Sequence, residues 1–281
     1  MTENKKPLRI LSLGFGVQSS TLALMSACGE IEPFDAAIFA DTGIEPKKVH
    51  EWSEWLEPQL PFPVYKVSKG SLHDASLKIH VSQKTGNKYL KSLIPAFVLK
   101  PDGNTGMFGR RCTADYKIRM IERTIRSILN IKRFSKKHGV LVHQIIGISL
   151  DEAHREKPSE ITAIKHVYPL LDLNMTRNDC LLWMESHGYP EPPKSACTIC
   201  PFHDDSMWKE LKDDSPEEWQ KVIEFEKEIQ RLAAFDDVTE GVPFLHESCV
   251  PIDQVDFSPK VKHKLHQTRL FGNECSGMCG N

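Results

Sequence analysis

The sequence predicts an α/β domain, a parallel sheet covered by helices, followed by a helical, cysteine-bearing C-terminal part. Three observations predict it. Short apolar runs recur at Leu8–Leu13, Asp35–Ala40 and Val64–Val67. Helix-period patterns separate them, and the first two runs end in Gly-rich or Asp-Thr-Gly turns. Continuous apolar strands suit a sheet buried on both faces.

Each element has its own warrant. Residues 8–13 (LRILSL) form a strand closed by Gly14-Phe15-Gly16. A helix follows with Leu22, Leu24, Met25 and Cys28 on its apolar positions, stopped near Gly29. Residues 35–40 (DAAIFA) read as a second buried strand ending at Asp41-Thr42-Gly43, followed by a helix over Lys47–Leu56 and a short third strand at Val64–Val67. From about Lys69 to Gly109, Gly, Pro and Lys recur without a period, which reads as an insertion or mobile loop. Thr113–Ile131 is amphipathic, with Ile118, Ile121, Ile125, Ile128 and Leu129 on one face, and Val140–Ile148 is the last strong strand. Beyond about Thr176 the pattern is mostly helical, interrupted at residues 192–203. The expected division is residues 1–175 and 176–281.

Bulk composition narrows the class. The 281 residues are 40% hydrophobic and 26% charged, ordinary for a globular chain, and the net charge of -2 excludes a uniformly basic coat. No stretch reaches the roughly eighteen apolar residues of a membrane span. The N-terminal residues lack a signal-peptide pattern, so a cytoplasmic setting is expected, with the eight cysteines as reduced thiols or metal ligands.

The turn after the first strand, Ser12-Leu13-Gly14-Phe15-Gly16-Val17-Gln18-Ser19-Ser20-Thr21, can be a plain connection or a phosphate loop. Glycines let the backbone approach a phosphate, and hydroxyls at a helix N-terminus join its free N–H groups in attracting anions. Neither GxxxxGK[ST] nor GxGxxG is present. Asp41 alone reads as a turn or helix-cap residue. Lys117 and Arg155 alone read as solvated cations.

Four blocks in order resemble the PP-loop adenine nucleotide α-hydrolases, specifically their phosphoadenylyl-sulfate (PAPS) reductase-like branch. Gly16-Val17-Gln18-Ser19 matches the GxDS half of the SGGxDS loop, with uncharged Gln18 where the family carries Asp. Ala40-Asp41-Thr42-Gly43 matches its D-T-G/N turn, and Arg111-Cys112-Thr113 with Lys117 its Cys-Thr…Lys block. Residues 147–155 (GISLDEAHR) resemble its G-[IL]-R-x-x-[ED]-S-x-x-R block. The resemblance implies a Rossmann-like sheet of the HUP type. It implies ATP, with Mg2+ as a candidate companion, held at Ser12, Gly14, Gly16, Gln18, Ser19, Ser20, Asp41, Thr42 and Gly147. Lys117 and Arg155 would neutralise phosphate charge.

Cys197-Thr198-Ile199-Cys200 admits redox, metal-half-site and incidental readings, and no thioredoxin-like context supports the first. Cys275 and Cys279 sit in a Gly-containing tail, where Glu274-Cys275 resembles the nucleophilic Glu-Cys-Gly end of sulfonucleotide reductases. By resemblance, Cys112, Cys197 and Cys200 would hold a 4Fe-4S cluster, with Cys275, Cys279 or an exogenous ligand as the fourth. Zinc is the alternative, since thiolates suit both. Cys28 and Cys180 read as packing on apolar helix faces, and Cys249 is ambiguous. The twelve histidines include no HExxH.

Residues 110–138 concentrate Arg110, Arg111, Lys117, Arg119, Arg123, Arg126, Lys132, Arg133, Lys136 and Lys137, and Lys260, Lys262 and Lys264 form a second run. Residues 204–228 are acidic by comparison. A basic helix reads as a solvated face or as a polynucleotide contact. The expected function is ATP cleavage at the α–β bond to adenylate an acceptor for sulfur transfer, with Cys275 or Cys279 as thiolate. The acceptor would be tRNA or DNA, and the sulfur would come from a donor such as a cysteine desulfurase. The alternatives are a sulfonucleotide reductase using a C-terminal thiol and a non-catalytic nucleotide-binding component of a modification or defence complex.

Overall fold

A computed structural model describes residues 6–134, 139–238 and 240–258. Contacts divide the chain into two units. A sheet unit comprises residues 6–69 and 113–195, and a helical unit comprises residues 70–112 and 196–258. The grouping differs from a linear cut after residue 175, because residues 70–112 pack with the C-terminal segment.

The sheet unit holds five parallel strands in the order β3-β2-β1-β8-β9. They are β1 (Leu8–Ser12), β2 (Ala36–Asp41), β3 (Val64–Ser68), β8 (Val142–Ile145) and β9 (Ile164–Val167), the last unforeseen from sequence. Its helices are α1 (Val17–Ala27), α2 (Lys47–Leu56), α4 (Arg119–Ile128), α5 (Pro169–Asp172) and α6 (Arg177–Ser186). The architecture is the α/β parallel sheet that the apolar runs predict, Rossmann-like as the resemblance implies.

Strand period distributes the apolar side chains to both faces. Leu11, Ala37 and Phe39 join one core with Leu22, Val49, Cys180 and Met184. Ile10, Ile38, Val142 and Ile164 join the other with Met120, Ile121 and Ile125 of α4. The order of strands reverses between β1 and β8, so the crevice beyond their C-terminal ends is the topological switch point. α6 is fixed by a capping box, in which Thr176 and Asp179 each satisfy the other's backbone N–H.

Two sequence readings need correction here. The stretch 113–131 is not one continuous α-helix: Thr113–Ile118 is a π-helix leading into α4. Apolar periodicity does not register the extra residue per turn. Cys28 is not packed in a core. It caps the C-terminus of α1 and is exposed, 3.5 Å from the Tyr189 hydroxyl. Cys180 does pack as expected; it is fully buried and its thiol pKa is pushed up to about 12.

In the helical unit the expected insertion is structured. It contains α3 (Leu72–Ser76), β4 (Ile79–Val81), β5 (Lys88–Leu90), β6 (Phe97–Leu99) and β7 (Thr105–Met107). These strands have three residues each, too few to show a period. β10 (Val242–Phe244) pairs antiparallel with β6. α7 (Asp205–Asp214) is capped by the Asp204 carboxylate on the Met207 N–H at 2.8 Å. α8 (Pro216–Ala233) begins with proline at N1 and Glu217 and Glu218 in its first turn.

Glu226 on α8 is buried, and its carboxylate accepts the N–H groups of Leu245 at 2.8 Å and Ile252 at 2.6 Å. Burial pushes its carboxyl above the ordinary carboxylate range, outweighing the pull of those donors. A raised folded pKa means the folded state holds the proton longer. The associated stability is fully present below about 4.5 and is lost as pH rises through the window above it. Glu226→Gln removes one of two acceptors and should destabilise by about 1–2 kcal/mol. Denaturant titration should show that cost shrinking from acidic to neutral buffer; a cost that grows would reverse the sign assigned to Glu226.

Candidate nucleotide site

The turn between β1 and α1 is built by close approach and local strain. Phe15 is fully buried yet adopts φ 56°, a left-handed conformation rare for a bulky residue. Its ring is held edge-on to Phe39, with centroids 4.8 Å apart. Gly16 is the extended N-cap of α1; no side chain caps it and no acidic residue lies in the first turn. This helix end therefore has no side-chain cap or acidic residue of its own to offset its dipole.

The hydroxyls around it divide their work. Ser19 Oγ accepts the Gly14 N–H at 3.2 Å and donates to the Gly16 carbonyl at 3.3 Å, which shapes the turn. Ser20 Oγ is fully buried and accepts the Trp52 indole N–H at 2.9 Å, so it secures α2 against α1. Ser12 Oγ accepts the Gln144 amide at 2.9 Å.

Gly147, just beyond β8, lies against the start of α1. A Cβ there would sit 3.1 Å from the Ser19 nitrogen and 3.2 Å from the Gln18 carbonyl carbon. Two charged networks flank this junction. Gln18 is buried, and its Nε2 donates to Ser149 Oγ at 3.3 Å and Glu152 Oε2 at 3.2 Å. The other Glu152 oxygen takes Arg155. An aspartate at position 18 would set two buried carboxylates against each other, so Gln18 and Glu152 are mutually consistent. On the other side Glu45 accepts the Thr42 hydroxyl at 3.0 Å and lies 3.7 Å from Lys117 Nζ. Asp41 accepts the Gly43 N–H at 2.7 Å, an Asx turn that shapes its own loop.

A cavity of about 470 Å³, within the range of small-molecule sites, is lined by Ser12, Gly14 and Lys117 of the predicted nucleotide residues; Gly16, Gln18, Ser19, Ser20, Asp41, Thr42, Gly147 and Arg155 are not among its lining residues. Ser12–Gly14 and Ile38–Ala40 form its floor, and the π-helix and α4 bring Lys117, Ile118 and Ile121 to one wall. Residues 157–161 form another. The π-turn is where Lys117 stands, a frequent association of π-geometry with functional positions. Sequence reading missed Glu45, Gln144 and Glu152 as partners. Gln144, a polar residue inside VLVHQIIGI, was the one visible signal.

The predicted metal ligands fare differently. Cys112, Cys197 and Cys200 belong to the helical unit, and Arg110 stacks over the Phe202 ring there at 5.6 Å. The Cys200 N–H bonds the Cys197 carbonyl at 2.9 Å, a tight C-x-x-C turn. Among the described residues, no three His, Cys, Asp or Glu side chains group to hold a metal ion. Cys275 and Cys279 lie outside the described residues.

No family model matches the sequence. No curated protein matches it. Among solved structures, the chain is similar to phosphoadenylyl-sulfate (PAPS) reductase from Candida auris in a phosphate complex. That match has 14% identity, covers 67% of this chain and 76% of the reductase, and has a TM-score of 0.41. It is also similar to the U34-tRNA thiolase NcsA from Methanococcus maripaludis with its 4Fe-4S cluster. There the identity is 14%, the coverage 85% of this chain and 76% of the thiolase, and the TM-score 0.38.

Proposed function

We propose that the sheet unit binds ATP and cleaves its α–β bond, adenylating an acceptor that then takes sulfur. The observation that carries the nucleotide reading is the cavity at the switch point. It is lined by Lys117 and the Ser12–Gly14 turn, which leads into an α1 N-terminus with no acidic residue in its first turn. The four sequence blocks that resemble PP-loop enzymes specify adenine and the bond broken.

In this reading, N–H groups at the start of α1 bind phosphate oxygens, and Lys117 and Arg155 offset charge developing on the leaving pyrophosphate. Glu45 and Glu152 position those cations. An acceptor oxygen attacks the α-phosphorus and releases pyrophosphate. Sulfur carried as a persulfide on Cys275 or Cys279, loaded by a sulfane-sulfur donor, then attacks the carbon bearing the adenylated oxygen and displaces AMP. The other cysteine attacks the inner sulfur, which releases the thiolated acceptor and leaves a disulfide that a cellular thiol reductant reopens. Cys112, Cys197 and Cys200 are our candidates to hold the metal group, and no step is routed through it.

A nucleic-acid acceptor is supported by the outer face of α4, where Arg119 and Arg123 are exposed, with Lys132 and Arg133 exposed just beyond. The test is to incubate the full chain with α-labelled ATP, with and without mixed tRNA or DNA, and separately with labelled adenylyl sulfate and reductant. AMP and pyrophosphate formed from ATP and increased by nucleic acid is the expected result. Sulfite release from adenylyl sulfate would instead assign a reductase. Tight ATP binding with no product would leave a nucleotide-binding component.

A further inference from the structure

The cavity contains a polar row with no assigned task. On the sheet face that meets α4, three strands each change from apolar to polar two residues along. Ile10, Val142 and Ile164 lie in the buried core, and Ser12, Gln144 and His166 follow them toward the strand ends. Parallel register pairs Ile10 with Gln144, and Gln144 with His166, so these side chains leave the same face. Ser12, Gln144 and His166 all line the cavity.

Their hydrogen bonds fix what they present. Gln144 Nε2 donates to Ser12 Oγ at 2.9 Å, which directs its amide NH2 along the row and leaves Oε1 as an acceptor. His166 Nδ1 lies 2.9 Å from the Lys157 carbonyl. A carbonyl only accepts, so Nδ1 carries the proton, and Nε2 of the neutral ring is a bare acceptor. Tyr168 reinforces the arrangement. Its hydroxyl donates to the same Lys157 carbonyl at 2.6 Å and accepts the Lys157 N–H at 3.1 Å, tying down the segment that orients the imidazole.

We infer that Gln144 and His166 read the exocyclic amine of the nucleobase, selecting a 6-aminopurine over a 6-oxopurine. The inference rests on the nucleotide reading above and names the groups that make it specific for adenine. Two adjacent acceptors match the two hydrogens of an amine. A 6-oxo group would set its oxygen against them, leaving acceptors opposed inside a partly apolar cavity. Ile38, Ile118 and Ile121 line the same cavity and supply apolar contact for the purine faces.

The experiment is calorimetric titration of the full chain with AMP, IMP and purine riboside 5′-monophosphate, which lacks the amine, in mildly alkaline buffer. The wild-type chain should bind AMP about tenfold or more tightly than either analogue. His166→Phe keeps an aromatic ring without the acceptor, and it should bring the three affinities within about twofold, mainly by weakening AMP. Gln144→Leu should do the same in part. Purine riboside monophosphate removes the contact from the ligand side, so the discrimination is read even where a variant folds poorly. AMP binding equal to IMP in the wild type, or discrimination unchanged in His166→Phe, overturns the base-reading role while leaving nucleotide binding intact. Absence of binding by AMP and ATP alike overturns the nucleotide reading, and this inference with it.

Discussion

Gly147→Ala should weaken ATP binding by about tenfold or more and lower stability by about 1–3 kcal/mol. The added methyl meets the Ser19 nitrogen, the Gln18 carbonyl carbon and Gln18 Cβ at 3.1–3.3 Å. None of these is the far end of a flexible side chain. Relief requires the N-terminus of α1 and the segment after β8 to separate, which stretches the Gln18 bonds to Ser149 and Glu152. Gly147 has no left-handed φ, so the effect isolates close approach from backbone strain. Gly109→Ala is the matched control, because its Cβ would enter open space at an ordinary φ. Thermal melts and ATP titration of both variants give the comparison, and a Gly147→Ala protein that matches the control in both would remove the junction from the site.

Lys117→Met should eliminate measurable ATP cleavage and cost about 3 kcal/mol of stability. The side chains of Lys117 and Glu45 are 11% and 1% exposed, so the variant takes the ammonium from a carboxylate in a water-poor setting. The double variant Lys117→Met/Glu45→Gln separates the two consequences. Neutralising both partners should restore most of the stability, because no buried charge is then left opposed by a methyl group. It should not restore cleavage, because no cation replaces the ammonium at the cavity wall. Denaturant unfolding and pyrophosphate release distinguish the outcomes. Cleavage recovered together with stability would reduce Lys117 to a structural ion-pair partner.

Strand identity and the position of the site were legible where local pattern and tertiary structure agree. Strands β1 and β2 are apolar nearly throughout because helices cover both faces, and that continuity is written directly in residues 8–13 and 35–40. The turns after β1 and β2 were legible for the same reason, since strand ends in an open parallel sheet are where its ligand crevices form. β9 was not legible: in Ile164–Val167 only Ile164 is fully buried, and four residues are too few to set a period. The short strands of residues 79–107 pair with one another or with β10 far along the chain, so their order depends on partners that local sequence does not contain.

The sequence by itself determined the parallel sheet and the glycine turn at the head of α1, because hydrophobic period and backbone permissiveness are local properties. Only the tertiary structure decided what each polar group does. Ser20, read as a phosphate-facing hydroxyl, is taken by Trp52, and Asp41 serves its own turn. Gln18 meets the carboxylate of Glu152 across 134 residues of chain. Hydrogen bonds and buried charge depend on distances of about 3 Å, and the pairing of the strands sets those distances.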